Sequence, residues 1–253
     1  MTLDLRIVPV NTGFIHVDKG GTLTQGRGYG EKIYIPAIAW YVYGGKEKIL
    51  VDTGMCETTR ADRYHHSGSY QEEEQRIDRA LRKMGVDPEE VGKVIFTHLH
   101  WDHCHNHRLF KNAKFYAHIN EVRFAFTPLP PYYRSYESAH LGIIPPFSET
   151  PFQITKEPEE VAEGIWIFPT PGHSPGHQSV AVETKKGTYV ITGDAVMSWE
   201  NWGGDPENHL PFIMNGRYFD LFQSWESFHR IKERAKFVLP GHEIKVFDQK
   251  EYP

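Results

Sequence analysis

Short runs of β-branched and aromatic residues alternate with stretches of helical period along most of the chain. DLRIVPV (4–10), AIAWYVY (37–43) and KILVD (48–52) read as strands, the last ending at Asp52-Thr53-Gly54. The period then changes. In EEEQRIDRALRKM (72–84), Ile77, Ala80, Leu81 and Met84 fall at i, i+3, i+4 and i+7, with Gly85 behind them, so the pattern predicts a helix over 72–84. Asp87-Pro88-Glu89-Glu90 supplies an N-cap, a proline at the first helical position and an acidic first turn. KVIFT (93–97) follows as a buried strand. Later come strands IWIF, SVAVE and TYVITG, a helix with Leu221, Trp225, Phe228, Ile231 and Ala235 on one face, and a strand FVL. Each half is strand-rich first and helical later, with no internal repeat and no low-complexity tract.

Composition narrows the class. The 253 residues, 39% hydrophobic and 24% charged, are globular in character, and one layered α/β domain is an ordinary use of that length. No apolar run approaches the roughly 20 residues of a membrane span, and MTLDLRIVPV lacks the charged-then-apolar pattern of a secretory signal, which predicts a cytoplasmic protein with no membrane partner. The net charge of −5 without a basic patch argues against nucleic acid as a partner. Cys56 and Cys104 alone cannot form a disulfide framework or a cysteine zinc finger. The oddity is fifteen histidines.

Four of them crowd into FTHLHWDHCHN (96–106), just past a strand's C-terminal end. In a tight loop His98 and His100 can turn toward one ion while Asp102 and His103 turn toward a second. Imidazole nitrogen and carboxylate oxygen are ligands for zinc, with iron, cobalt or manganese as competitors. Four ligands do not complete two sites. The remainder is expected from other strand ends, where His173 in TPGHSPGH, Asp194 in ITGDA and His242 in VLPGHE each follow an apolar or β-rich run. A lone His173 or His242 would more often be structural; the constellation outweighs its members. Cys104 reads as a small buried residue rather than a nucleophile, and His65, His66, His105 and His107 as solvated or supporting side chains.

H-x-H-x-D-H at 98–103, followed in order by His173, Asp194 and His242, resembles the metallo-β-lactamase superfamily, and within it the N-acyl-homoserine lactonases. LVDTGM (50–55), TPGHSPGHQS (170–179), GDA (193–195) and PGHE (240–243) extend the likeness over nearly the whole chain. The resemblance implies an αββα sandwich forming a single domain over 1–253, with two divalent metal ions, zinc foremost, at one edge of its sheets. By it His98, His100 and His173 hold one metal, Asp102, His103 and His242 the other, and Asp194 bridges both. Asp52 would support a ligating histidine. It further implies hydrolysis of a small-molecule lactone or related ester, with Asp102 passing a proton to the leaving alkoxide and Asp194 also essential to catalysis. Within the same superfamily, an iron-dependent oxidoreductase such as a persulfide dioxygenase, or a hydrolase of thioesters or phosphotriesters, is the alternative; His100 counts against a flavodiiron protein.

One position departs from the pattern. Those lactonases carry a tyrosine three residues after the bridging aspartate, where Met197 stands here and cannot donate a hydrogen bond. Ser198 and the tyrosines at 132, 133 and 136 are the expected substitutes. The aromatic, proline-rich segment 124–152 is expected to wall a pocket, together with Trp40, Trp199 and Trp202.

Overall fold

The computed structural model describes residues 4–253. Six strands, β1 (Arg6–Asp18), β2 (Lys32–Tyr43), β3 (Lys48–Val51), β4 (Val91–Ile95), β5 (Lys114–His118) and β6 (Phe152–Thr155), form one sheet in chain order. The first three are antiparallel neighbours, and β3 to β6 run parallel. The second sheet has the order β11-β10-β9-β8-β7, from β7 (Glu159–Ala162), β8 (Ile165–Pro169), β9 (Gln178–Thr184), β10 (Gly187–Ile191) and β11 (Phe237–Leu239).

Strand parity sets the layers. On β2, Ile38, Trp40 and Val42 point between the sheets, where they meet Ile167, Val180, Val182 and Ile191; Ala39 and Tyr41 point outward. The outward face is covered by helix α1 (Ile77–Lys83) through Ile77 and Leu81, and by Phe110 and Phe147. The outer face of the second sheet, through Phe168, Val190 and Val238, is covered by Phe228 and Ile231 of the long helix near the C-terminus. The result is the αββα sandwich, and its doubly covered β2 is buried continuously from Ile35 to Val42 rather than alternating. Among the described residues no helix is long and apolar enough to cross a membrane.

Two helix expectations need correction. The stretch 72–84 is a 3-10 turn at Glu73–Gln75, opened by a capping box in which Gln75 Oε1 accepts from Glu72 N at 2.8 Å, followed by α1 alone, because Arg76 between them turns to an extended ψ of 130° and ends the first turn. In the C-terminal helix (Leu221–Arg234) the buried stripe is Ser224, Ser227, Phe228 and Ile231, while Trp225 stays 37% exposed. That helix lies flat on the backbone of the 170–177 loop. Ser227 Oγ donates to Pro171 O at 2.6 Å, and a Cβ on Gly172, whose φ is +134°, would sit 2.3 Å from Ser224 N. Only small side chains fit that seam.

Candidate metal centre

Parallel direction gathers the site. Strands β8, β10 and β11 all run the same way, since β9 is antiparallel to both its neighbours and β11 is parallel to β10. Their C-terminal ends therefore share one edge, and His173, Asp194 and His242 lie just beyond them. The parallel pair β3 and β4 delivers Asp52 and the 98–103 run to that same edge, the usual place for function in such sheets. The run is extended through His100 and then turns into a short helix at Trp101–Cys104, which separates its side chains in direction.

All seven residues singled out in the sequence come together, and all are buried. His98, His100 and His173 form one group whose donor atoms lie within 4.8 Å of one another, and Asp102, His103 and His242 form another. Asp194 stands between them. Its Oδ2 is 3.4 Å from His173 Nε2 and 4.0 Å from His98 Nε2; its Oδ1 is 3.0 Å from His242 Nε2 and 3.2 Å from His103 Nε2. Asp102 Oδ2 closes the second group at 3.5 Å from His103 Nε2 and 3.8 Å from His242 Nε2. His100 turns Nδ1 inward, 3.1 Å from His173 Nε2.

Hydrogen bonds on the far side of the rings decide which nitrogens are free. His103 Nδ1 donates to Asp52 Oδ2 at 2.8 Å, His173 Nδ1 to the Arg217 carbonyl at 3.0 Å, and His242 Nδ1 to the Pro36 carbonyl at 2.8 Å. Thr97 Oγ1 donates to Asp52 Oδ2, so it accepts from His98 Nδ1 at 3.0 Å. Each ring therefore carries its proton on Nδ1 and turns the Nε2 lone pair toward Asp194. His98 Nε2, His103 Nε2 and Asp194 Oδ1 are buried without a hydrogen-bond partner, an arrangement that costs free energy unless a cation lies among them. The donor set fits metal ions on these grounds. His177 is different: its Nε2 accepts from Asp194 N at 3.0 Å and its Nδ1 faces Thr170 Oγ1 at 2.9 Å, so both nitrogens are spent positioning Asp194.

In the absence of a cation, electrostatics separate the two groups. Burial pushes His98, His100 and His173 below the usual imidazole range, and neighbouring histidines add to this for His98 and His100, so these rings are neutral, the ligating form. For His103 and His242 burial acts the same way but is outweighed by Asp194, with Asp102 and, at His103, Asp52 adding to it. Burial would raise Asp102 and Asp194; the facing His103 and His242 hold both carboxyls below the usual range.

Three supporting residues carried no signal in the sequence. Glu121, on the helix Ile119–Phe126, is buried and accepts from Leu99 N, Tyr136 Oη, Ser174 Oγ and Gly176 N, tying the 98–103 run to the 170–177 loop. Asn215 Nδ2 donates to the Asp194 carbonyl at 2.6 Å. Glu137, fully buried with φ of +46°, sits among Arg60, His65 and His105. Burial raises its carboxyl, but these three neighbours outweigh it and hold it well below its ordinary 4.5. A depressed folded-state value gives stability that is complete above pH about 4.5 and is lost as the pH falls through the folded value. Glu137→Gln should therefore flatten the acid side of the stability profile of metal-free protein. Urea midpoints that fall in parallel for variant and wild type below pH about 4.5 would contradict this.

A model of the metallo-beta-lactamase superfamily matches residues 36–242. The chain belongs to that superfamily. Among its relatives, an N-acyl homoserine lactonase of a Bacillus species is 31% identical over 91% of this chain and 88% of its own. An N-acyl homoserine lactonase of Bacillus thuringiensis subsp. kurstaki is 30% identical with the same coverage. The crystal structure of a quorum-quenching N-acyl homoserine lactone lactonase superposes with a TM-score of 0.77 at 25% identity, over 97% of this chain and 94% of that one. The protein is a metal-dependent hydrolase of the metallo-beta-lactamase superfamily.

In this superfamily member the clustered residues open on a small cleft. Part of its lining is apolar, from Ile15, Val17, Ile35, Trp101 and Met197, which pack as one buried cluster. Thr22, His66, Ser135 and Arg217 add polar groups. The segment 124–152 lines the cleft through Ser135 but not through its aromatic rings: Phe124, Tyr132, Tyr136 and Phe147 pack on one another and into the core, with Tyr136 edge-on behind His100. Trp40, Trp199 and Trp202 do not line it either. Trp40 is inside the intersheet core, the Trp199 indole donates to Val238 O, and Trp202 stacks on Phe228.

The expected replacements for a tyrosine at Met197 are committed elsewhere. Ser198 caps the helix Trp199–Gly203 and bonds Asn201 Oδ1; Tyr136 donates to Glu121; Tyr132 donates to Tyr218 O; Tyr133 stacks on His140. Cys104 is a small buried residue as expected, its thiol donating to Leu99 O.

Proposed function

We propose that this protein opens a lactone, an N-acyl-homoserine lactone or a related lactone or ester, at a centre of two divalent metal ions, with zinc as the first candidate. His98, His100 and His173 would hold one ion, Asp102, His103 and His242 the other, and Asp194 would bridge them. The observation that carries this reading is Asp194, with one carboxylate oxygen facing each histidine group and the Nε2 lone pairs turned toward it. The relatives named as N-acyl homoserine lactonases support the reaction class. When bound, two such ions lower the pKa of water toward about 7 and polarise an ester carbonyl.

The chain's own residues do the rest. Asp52, Thr97, Pro36 and Arg217 fix the ring orientations through Nδ1, so little reorganisation is needed when substrate arrives. Asp102 borders the cleft, where its carboxylate can pass a proton to the leaving alkoxide. Ile15, Val17, Ile35 and Met197 exclude water from one side of the reacting carbonyl. Residues 1–253 would act as one catalytic domain, with segment 124–152 contributing to the cleft wall.

Elemental analysis of protein grown with zinc, cobalt, manganese or iron should return about two ions per chain. A hydrolysis panel of lactones, thioesters, phosphotriesters and β-lactams should then place lactones first. One ion or none would defeat the dinuclear reading, and oxygen uptake by iron-loaded protein with no lactone turnover would move the assignment to oxidoreductase chemistry.

A further inference from the structure

The polar part of the cleft lining carries a charge that lactone opening alone does not require. Arg217 is fixed at both ends. Its carbonyl accepts from His173 Nδ1, and its Nη2 donates to Ser135 Oγ at 2.7 Å, holding the guanidinium in the cleft wall. Arg27, Arg60 and Arg82 each sit on a carboxylate, whereas among the described residues Arg217 has none within 4.0 Å. Among the described residues Ser135 Oγ is the one acceptor its guanidinium meets. Asp102 and Asp194 line the same cleft, but their oxygens face His103, His173 and His242 rather than the guanidinium. A half-buried guanidinium without a counter-charge, beside a small cleft, is satisfied best by a carboxylate brought in by the ligand, because the fork of parallel N–H groups matches its two oxygens.

We propose that Arg217, held by Ser135, is the specificity-determining contact of this cleft and selects lactones or esters that carry a carboxylate near the scissile carbonyl. The inference rests on the lactone or ester reading above. It makes the substrate a small anionic ring rather than a neutral acyl amide, and Met197 then serves as part of the apolar wall.

The test uses zinc-loaded protein and a matched pair of substrates, a five-membered lactone bearing a ring carboxylate and the same lactone with a primary carboxamide in its place. The wild type should favour the carboxylate about ten- to hundredfold in kcat/KM, the range expected of one charged hydrogen-bonded contact, with the difference carried mainly in KM and weakened by salt. Arg217→Met should bring the ratio of the two kcat/KM values close to one, and Arg217→Lys should restore part of it, keeping the charge without the fork. Metal content should stay at the wild-type value in both variants. No preference in the wild type, or an equal loss for both substrates in Arg217→Met, would overturn the proposal and leave Arg217 as a prop for His173.

Calorimetric titration with the ring-opened hydroxy acids separates this from the underlying reading. The acid bearing the extra carboxylate should bind wild type about tenfold or more tighter than Arg217→Met, whether or not either lactone is turned over. If neither lactone is hydrolysed but that difference is present, the lactone reading fails and the anion contact stands. If it is absent, the anion contact fails.

Discussion

Asp194→Asn should cost the protein metal and nearly all turnover together. The side chain keeps its volume, but an amide offers one oxygen and one nitrogen that cannot act as a ligand, so it can face only one of the two histidine groups. In the wild type Oδ2 lies 3.4 Å from His173 Nε2 while Oδ1 lies 3.0 Å from His242 Nε2, and both contacts depend on a symmetric carboxylate. Asn215 and His177 hold the backbone on either side of the residue, which keeps the variant from moving to compensate. We expect metal content to fall from about two ions to about one or fewer, and kcat to fall by at least about 10²–10³, the range seen for removal of one preorganised electrostatic group. Retention of two ions with turnover within about tenfold of wild type would remove Asp194 from the bridging position.

Glu121→Ala should have the largest effect on stability among residues outside the seven. Its carboxylate accepts from Ser174 Oγ at 2.6 Å, Tyr136 Oη at 2.8 Å, Leu99 N at 2.9 Å and Gly176 N at 3.2 Å, and the residue is 1% exposed. Alanine leaves those donors buried without an acceptor. At about 1–3 kcal/mol for each unsatisfied group, partly relieved by relaxation, the loss should be about 3–5 kcal/mol. For a chain of this size that lowers Tm by about 8–15 °C. The 170–177 loop cannot easily close the gap, since Gly176 already lies so near that an added Cβ would be 1.9 Å from Glu121 N. Because the bonds to Leu99 and Ser174 flank His98, His100 and His173, metal affinity should weaken as well. Glu121→Gln should fall between the two, as it retains one acceptor but turns an NH₂ toward groups that are donors. A Tm change below about 2 °C for the alanine variant would show that water replaces the carboxylate.

What the sequence determined by itself is the chemistry and the alternation of strands with helices; the αββα layering was implied only by the family resemblance. Imidazole and carboxylate at 98, 100, 102 and 103 declare metal-ligand types within one short stretch, and His173, Asp194 and His242 each stand just behind a strand-forming run, so residue type and local position sufficed to pick out all seven. Runs of β-branched and aromatic residues such as 37–43 likewise announce strands, because those side chains suit a pleated, packed surface. The pattern at 72–84 overstates the length of the helix because hydrophobic period reports which face is buried, not where one residue, here Arg76 with ψ of 130°, leaves the helical conformation. The destinations of Trp40, Trp199 and Trp202, the commitment of Ser198 and Tyr136 to other partners, and the roles of Glu121, Glu137, Asn215 and Arg217 were decided only by the tertiary structure. The physical reason is separation along the chain. Ser174 lies 53 residues from Glu121 and Ser135 lies 82 from Arg217, and a single glutamate or arginine has no periodicity of its own. Whether such a charge is solvated, structural or aimed at a ligand depends on which distant loops the two sheets bring to their common edge.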